Sequence, residues 1–214
     1  MSPTHVRLLA AERAELVPLL RQIAENAPLD FDRLTVLPGW SVRDVVAHCG
    51  AVLTRAGKGT MHSFSPQDNQ CDVDERRSWT LAELLAELEA GYDLAASQPD
   101  AAQAALGVWI HGGDIREGLN TPGPYVHDGL PEAVTLLVER SVIRGVPPID
   151  VTLVDAIENG LETAQVCLGD PTQEAIGWLR VDVAGLFRLV AGRRPELVER
   201  ESVDVEMDSL RMFG

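Results

Sequence analysis

Up to Arg144, apolar residues recur every three or four positions, in blocks separated by proline, glycine and polar breaks. That period predicts a series of amphipathic helices. The first spans Thr4 to Glu25, with Leu9, Leu16, Leu20 and Ile23 on one stripe and Pro18 as a kink point. Ser41-Val42-Arg43-Asp44 reads as a capping box with Ser41 as N-cap. It opens a second helix to about Ala56, buried through Val42, Val45, Val46, Cys49, Val52 and Leu53. Residues 57–78 are polar and irregular and predict the longest loop. A second capping box, Thr80-Leu81-Ala82-Glu83, opens a helix striped by Leu81, Leu84, Leu85, Leu88 and Tyr92. Gln98-Pro99-Asp100 breaks it, a fourth helix carries residues 109–119, and a fifth runs from Pro131 to about Arg144.

The period changes after Gly145-Val146-Pro147-Pro148, which marks the expected domain boundary. Val151–Ile157 and Leu161–Leu168 are β-rich runs around Asn159-Gly160, a two-residue hairpin signal. Ile176–Val181 predicts a third strand. Asp182 then caps a short helix, Val183–Ala191, that ends at Gly192. Alternation from Leu197 to Met207 predicts a last strand, followed by a turn of helix. The expected fold is mainly α: a helical domain over residues 1–149 and a small α+β domain over 150–214.

Composition narrows the function. The 214 residues are 45% hydrophobic and 24% charged, which is ordinary for a soluble globular chain. A net charge of −15 argues against nucleic acid and against an anionic membrane, both of which call for basic surface. Three scattered cysteines, Cys49, Cys71 and Cys167, form no CxxC pair and fit a reducing compartment. With no signal peptide or apolar span in the sequence, a cytoplasmic location is expected.

The candidate chemistry lies on two of the helices. His48 falls on the inward stripe of the second, with Asp44 one turn before it. On the fourth, His111 and Asp114 are three apart and share a face, Arg116 lies round the side, and Gly112-Gly113 thin the helix between them. Two readings follow. His48 and His111 are metal ligands, with Asp114 or His62 as a third, or they are buried histidines satisfied by Asp44 and Asp114. Imidazoles more than about 10 Å apart would exclude a shared ion, because each zinc–nitrogen bond is only about 2 Å. Cys49 beside His48 reads as a buried apolar cysteine, since adjacent helical residues diverge by about 100°. Gly192-Arg193-Arg194 offers paired cations to an anionic substrate, or simply complements the helix dipole. Gly57-Lys58-Gly59-Thr60 lacks the first glycine of a P-loop and follows a helix.

Pro38-Gly39-Trp40-Ser41-Val42-Arg43-Asp44-Val45-Val46-Ala47-His48 resembles the GWSVRDVxAH segment of DinB-like proteins, and within them the mycothiol-dependent maleylpyruvate isomerase family of actinobacteria. His111-Gly112-Gly113-Asp114-Ile115-Arg116 resembles that family's HGxDIR segment, and Leu186 to Arg194 is similar to its LLxxLxGRR helix. The resemblance implies a DinB-like four-helix bundle followed by a sterol-carrier-like C-terminal domain. It also implies a divalent metal, usually zinc, the thiol mycothiol as cofactor, and isomerisation or thiol transfer on a small electrophilic or anionic substrate. His48 and His111 fall on the family's two histidine ligand positions. The family's third ligand, Glu or His, stands four residues before the second histidine, where this chain has Gly107. Asp114, His62 or water would then fill the gap, and Arg116, Arg193 and Arg194 would serve the substrate, with the C-terminal domain lending one of the last two to the cleft. The other reading is a metal-depleted bundle that binds a small molecule or serves a stress response. The resemblance sets no oligomeric state, monomer or homodimer.

Overall fold

Two capping boxes start the helices as the residue types require. Ser41 Oγ accepts the Asp44 N–H at 3.3 Å while Asp44 Oδ2 accepts the Ser41 N–H at 2.8 Å. Thr80 and Glu83 repeat the exchange. The computed structural model describes residues 2–61 and 65–213. They form two compact units, Met1–Pro124 and Tyr125–Gly214.

The first unit holds α1 (Thr4–Asn26), α2 (Val42–Gly57), α3 (Pro66–Glu75), α4 (Leu81–Ala96) and α5 (Ala102–Gly118). Here α1 and α2 each pack against both α4 and α5, so four long helices enclose one core. Leu8, Leu16 and Leu20 of α1, Val45, Val46 and Leu53 of α2, Leu84 and Leu88 of α4, and Trp109 and Ile115 of α5 are all buried. The expected kink residue, Pro18, lies inside one continuous α1.

The expected long loop at 57–78 instead contains α3. Ser65 caps it by accepting the Asp68 N–H at 3.1 Å, and Pro66 occupies the first turn, where its missing N–H costs nothing. That Ser-Pro-x-Asp signature is legible in the sequence. The polar composition hides it, because only Asp72 and Val73 of α3 are buried. His62 lies outside the described residues.

The second unit begins earlier than Gly145–Pro148. It contains α6 (Leu130–Ile143), β1 (Ile149–Leu153), β2 (Gln165–Leu168), β3 (Gly177–Val181), α7 (Val183–Ala191) and β4 (Arg200–Val203). The boundary shifts because α6 is tied to the sheet unit. Buried Ser141 Oγ accepts the Gly169 N–H at 2.8 Å, and Arg140 Nη2 donates to Met212 O at 3.1 Å. The sheet order is β2-β1-β3-β4, with β1 and β3 parallel and the other pairs antiparallel.

No two-residue hairpin forms at Asn159-Gly160. Val154 donates its N–H to Val181 O at 3.0 Å, and Asp155 Oδ1 accepts the Val183 N–H at 2.8 Å. The chain leaving β1 is therefore held along β3 and the start of α7, and β2 begins only at Gln165. Asp182 caps α7, which ends at Gly192 with φ +65°, a conformation glycine adopts without strain. Strand β4 forms where the alternation predicts one, and the final turn is a 3-10 turn, Met207–Leu210.

Candidate functional site

His48 and His111 converge. Their ring centroids are 5.1 Å apart and the rings are nearly perpendicular, at 89°. That is well inside the separation at which a shared ligand becomes impossible. Trp40 closes another side, its ring centroid 5.3 Å from that of His48.

Each imidazole is tethered through Nδ1 by a carboxylate. His111 Nδ1 donates to Asp114 Oδ2 at 3.0 Å, one turn along the same helix. His48 Nδ1 donates to Asp72 Oδ2 at 2.9 Å. Asp44, the expected neighbour of His48, is committed to the Ser41 cap and does not serve it. Asp72 comes from α3, a helix the polar pattern concealed. Both oxygens of Asp72 also take the guanidinium of Arg55. In a neutral ring whose Nδ1 donates to a carboxylate, Nε2 is the atom that keeps the free lone pair.

Burial lowers the His48 pKa to about 4, against the pull of the Asp72 hydrogen bond; His111 and Arg55 push the same way as burial. His48 is therefore neutral at pH 7. Burial alone would raise the Asp72 pKa, but hydrogen bonds from Arg55 and His48 outweigh it and hold the carboxylate below its usual range. A pH dependence of stability follows. The unfolded chain protonates His48 near pH 6.5 and the folded chain only near 4, so between those values the unfolded state binds more protons. The stabilisation is complete above pH 6.5 and is lost as pH falls toward 4, in total about 3 kcal/mol. Urea unfolding at pH 7.5 and at pH 4.5 should show this loss, and His48→Gln should remove most of it. A slope unchanged by His48→Gln would assign the acid sensitivity to other groups.

The expected third ligand is the point of disagreement. Beyond its own stretch of helix, a Cβ built on Gly107 meets no atom of the described residues within 4 Å, so the position is open space on the turn before His111. Asp114 is fully buried and faces His111 Nδ1, the geometry of an orienting partner. Among the described residues, no group of three His, Cys, Asp or Glu side chains is arranged to hold a metal ion. Two neighbouring imidazoles are donors that a divalent ion accepts, but a complete three-ligand centre is not present among these residues.

Arg116, expected to act on substrate, is buried. Its Nη1 and Nη2 donate to Glu12 Oε1 and Oε2 at 3.0 and 3.4 Å. The pair ties α1 to α5. It also explains one glycine of the Gly112-Gly113 pair, because a Cβ on Gly112 would overlap Glu12 Oε1. Glu12 is a site residue that no motif in the sequence marks, although a carboxylate between Leu9 and Leu16 on an apolar stripe signals a buried partner. Cys49 is buried, and burial, followed by the charges of Glu12, Asp114 and Asp72, pushes its thiol pKa well up, which makes it inert. Lys58 and Gly59 form the C-terminal turn of α2, not a phosphate loop. In the second unit, Arg193 Nη1 donates to Ala191 O at 2.9 Å, and Arg194 adopts a left-handed backbone with φ 42°.

These features can be set beside known proteins. The sequence model of the mycothiol maleylpyruvate isomerase N-terminal domain matches residues 9–120. The chain belongs to this family. The matched span contains both histidines, both orienting carboxylates and the Glu12–Arg116 pair. Crystal structures of the mycothiol-dependent maleylpyruvate isomerase and of a histidine-to-alanine mutant of it match with a TM-score of 0.52. Identity is 14% and 15%, over 93% of both chains in each case, so the likeness to these members of the family is one of fold. No curated protein matches the sequence. The family's DinB-like helical fold with a small sheet unit is what the resemblance implied. No helix among the described residues is long and apolar enough to cross a membrane.

Proposed function

We propose that this chain is an isomerase or thiol transferase of the maleylpyruvate isomerase type, pairing mycothiol with a small electrophilic or anionic substrate at His48 and His111. The observation that carries this reading is the pair of imidazoles 5.1 Å apart, each held through Nδ1 by a buried carboxylate. Both Nε2 atoms are available to accept a hydrogen bond from a thiol, and Trp40 offers an apolar wall to the bound molecule. A divalent ion, zinc first, would be held by those Nε2 atoms, and when bound would favour the thiolate. Arg193 and Arg194 remain candidates for an anionic group on the ground of their adjacent charges.

The test is thiol-dependent isomerisation of maleylpyruvate, followed by absorbance with and without added zinc. Wild type should turn over only with mycothiol present, and His48→Ala and His111→Ala should each lose about 100-fold or more. Gly107 favours a second reading, a metal-depleted binding protein. Mycothiol bound by calorimetry, with no turnover under any metal condition, would establish that reading instead.

A further inference from the structure

We propose that Asp72 is the positioning residue of His48, with Arg55 holding Asp72 in place. The inference rests on the reading that His48 is a working residue of the site. It adds a residue from a helix that carries none of the family-like motifs.

The geometry is that of a carboxylate fully occupied in orienting a ring. Asp72 is 2% exposed, on a helix whose other residues, Val73 apart, are at least partly open to solvent. Oδ2 accepts from His48 Nδ1 at 2.9 Å and from Arg55 Nη2 at 2.7 Å, while Oδ1 accepts from Arg55 Nη1. The same helix secures the other wall of the site. Gln70 Oε1 accepts the indole N–H of Trp40 at 3.0 Å, and Trp40 lies edge-on to His48. Residues 70 and 72 of α3 thus hold both the imidazole and its aromatic neighbour. The C-terminal end of α3 is pinned in turn. Arg76 Nη1 donates to Asp72 O at 3.1 Å, and its Nε and Nη2 pair with Glu87 of α4 at 2.5 and 2.7 Å.

Two consequences follow for the ring. An ionised carboxylate can only accept, so the Nδ1 proton is fixed and Nε2 keeps its lone pair for a ligand. A ring bonded at one nitrogen also loses the freedom to flip. Orienting partners of this kind typically account for 10–100-fold in ligand affinity or activity.

The test is the tautomer of His48, read from its ring nitrogens by long-range 1H–15N NMR at pH 7.5 on the full chain. In wild type, the expected form is a single tautomer protonated at Nδ1 and bare at Nε2. Asp72→Asn, close in volume, should yield a mixture of tautomers, with helical circular dichroism unchanged; Asp72→Ala should do the same. In the mycothiol-dependent assay, Asp72→Asn should lower kcat about 10–100-fold with little change in KM. A wild-type ring protonated at Nε2, or a tautomer indifferent to both substitutions, overturns the proposal. If neither variant folds, the wild-type spectrum alone decides. An inactive wild type that shows the expected tautomer and the expected variant response would sink the catalytic reading and leave the positioning role of Asp72 intact.

Discussion

Arg116→Met is expected to destabilise the protein by about 3–5 kcal/mol, because it removes the guanidinium that pairs with the buried Glu12 carboxylate. Glu12 is 1% exposed, and its two oxygens are taken by Arg116. Nearby, the Tyr92 hydroxyl is buried with no hydrogen-bond partner among the described residues, and its pKa is pushed well up, by burial first and by Glu12 next. The double variant Glu12→Leu/Arg116→Met should recover most of the loss, since apolar groups of similar volume often replace a buried pair at no net cost. Urea midpoints for the wild type, both single variants and the double variant form a complete cycle. A single-variant loss below about 1 kcal/mol would mean that Glu12 finds water or a proton instead. A large catalytic loss with unchanged stability would return Arg116 to the substrate-binding role that its place in the HGxDIR-like segment suggested.

Gly107→Glu is expected to raise zinc affinity at least about tenfold, or ~1.4 kcal/mol. The position lies one turn before His111 on α5, and beyond that stretch of helix a new Cβ meets no atom of the described residues within 4 Å. Glutamate is also the better helix former there, so the substitution should not cost stability. Gly107→Ala is the control; it should share the gain in helix stability and leave zinc binding as in wild type. Affinities measured by competition with a chromogenic chelator would separate the three proteins. Equal zinc affinity in wild type and Gly107→Glu would count against an incomplete site and would mean that the Nε2 atoms do not converge on one ion. A gain in thiol-dependent turnover alongside the gain in zinc would show that the missing ligand limits the chemistry as well.

Much of the first unit could be read from the chain because its signals are local. Ser41 and Thr80 announce helix starts through bonds made within three residues. The 3.6-residue stripe already placed His48 and His111 on inward faces. His111 and Asp114 share a face by helix geometry alone, so their hydrogen bond was implicit in a spacing of three. Gly107 was equally visible, since an absent side chain needs no fold to reveal it. The sheet was harder to read. Asn159-Gly160 carries the hairpin signal, but bonds from Val154 and Asp155 to residues 181 and 183, nearly thirty positions away, outcompete it.

What only the tertiary structure decided is which charged groups meet. Asp44 and Asp72 are both acidic residues near His48 in sequence or space, yet a cap bond worth about 1 kcal/mol holds the first at its own helix. The packing of α3 on α2 delivers the second. Glu12 and Arg116 are 104 residues apart and find each other because two helices close on the gap left by Gly112. In a low-dielectric core, a charge must have a partner, but periodicity carries no information about where in the chain that partner lies. The amphipathic pattern determined that the first unit is built of helices, with two histidines on their inward stripes. The contacts between helices determined that His48 answers to Asp72 and that Arg116 is bound up in the core with Glu12.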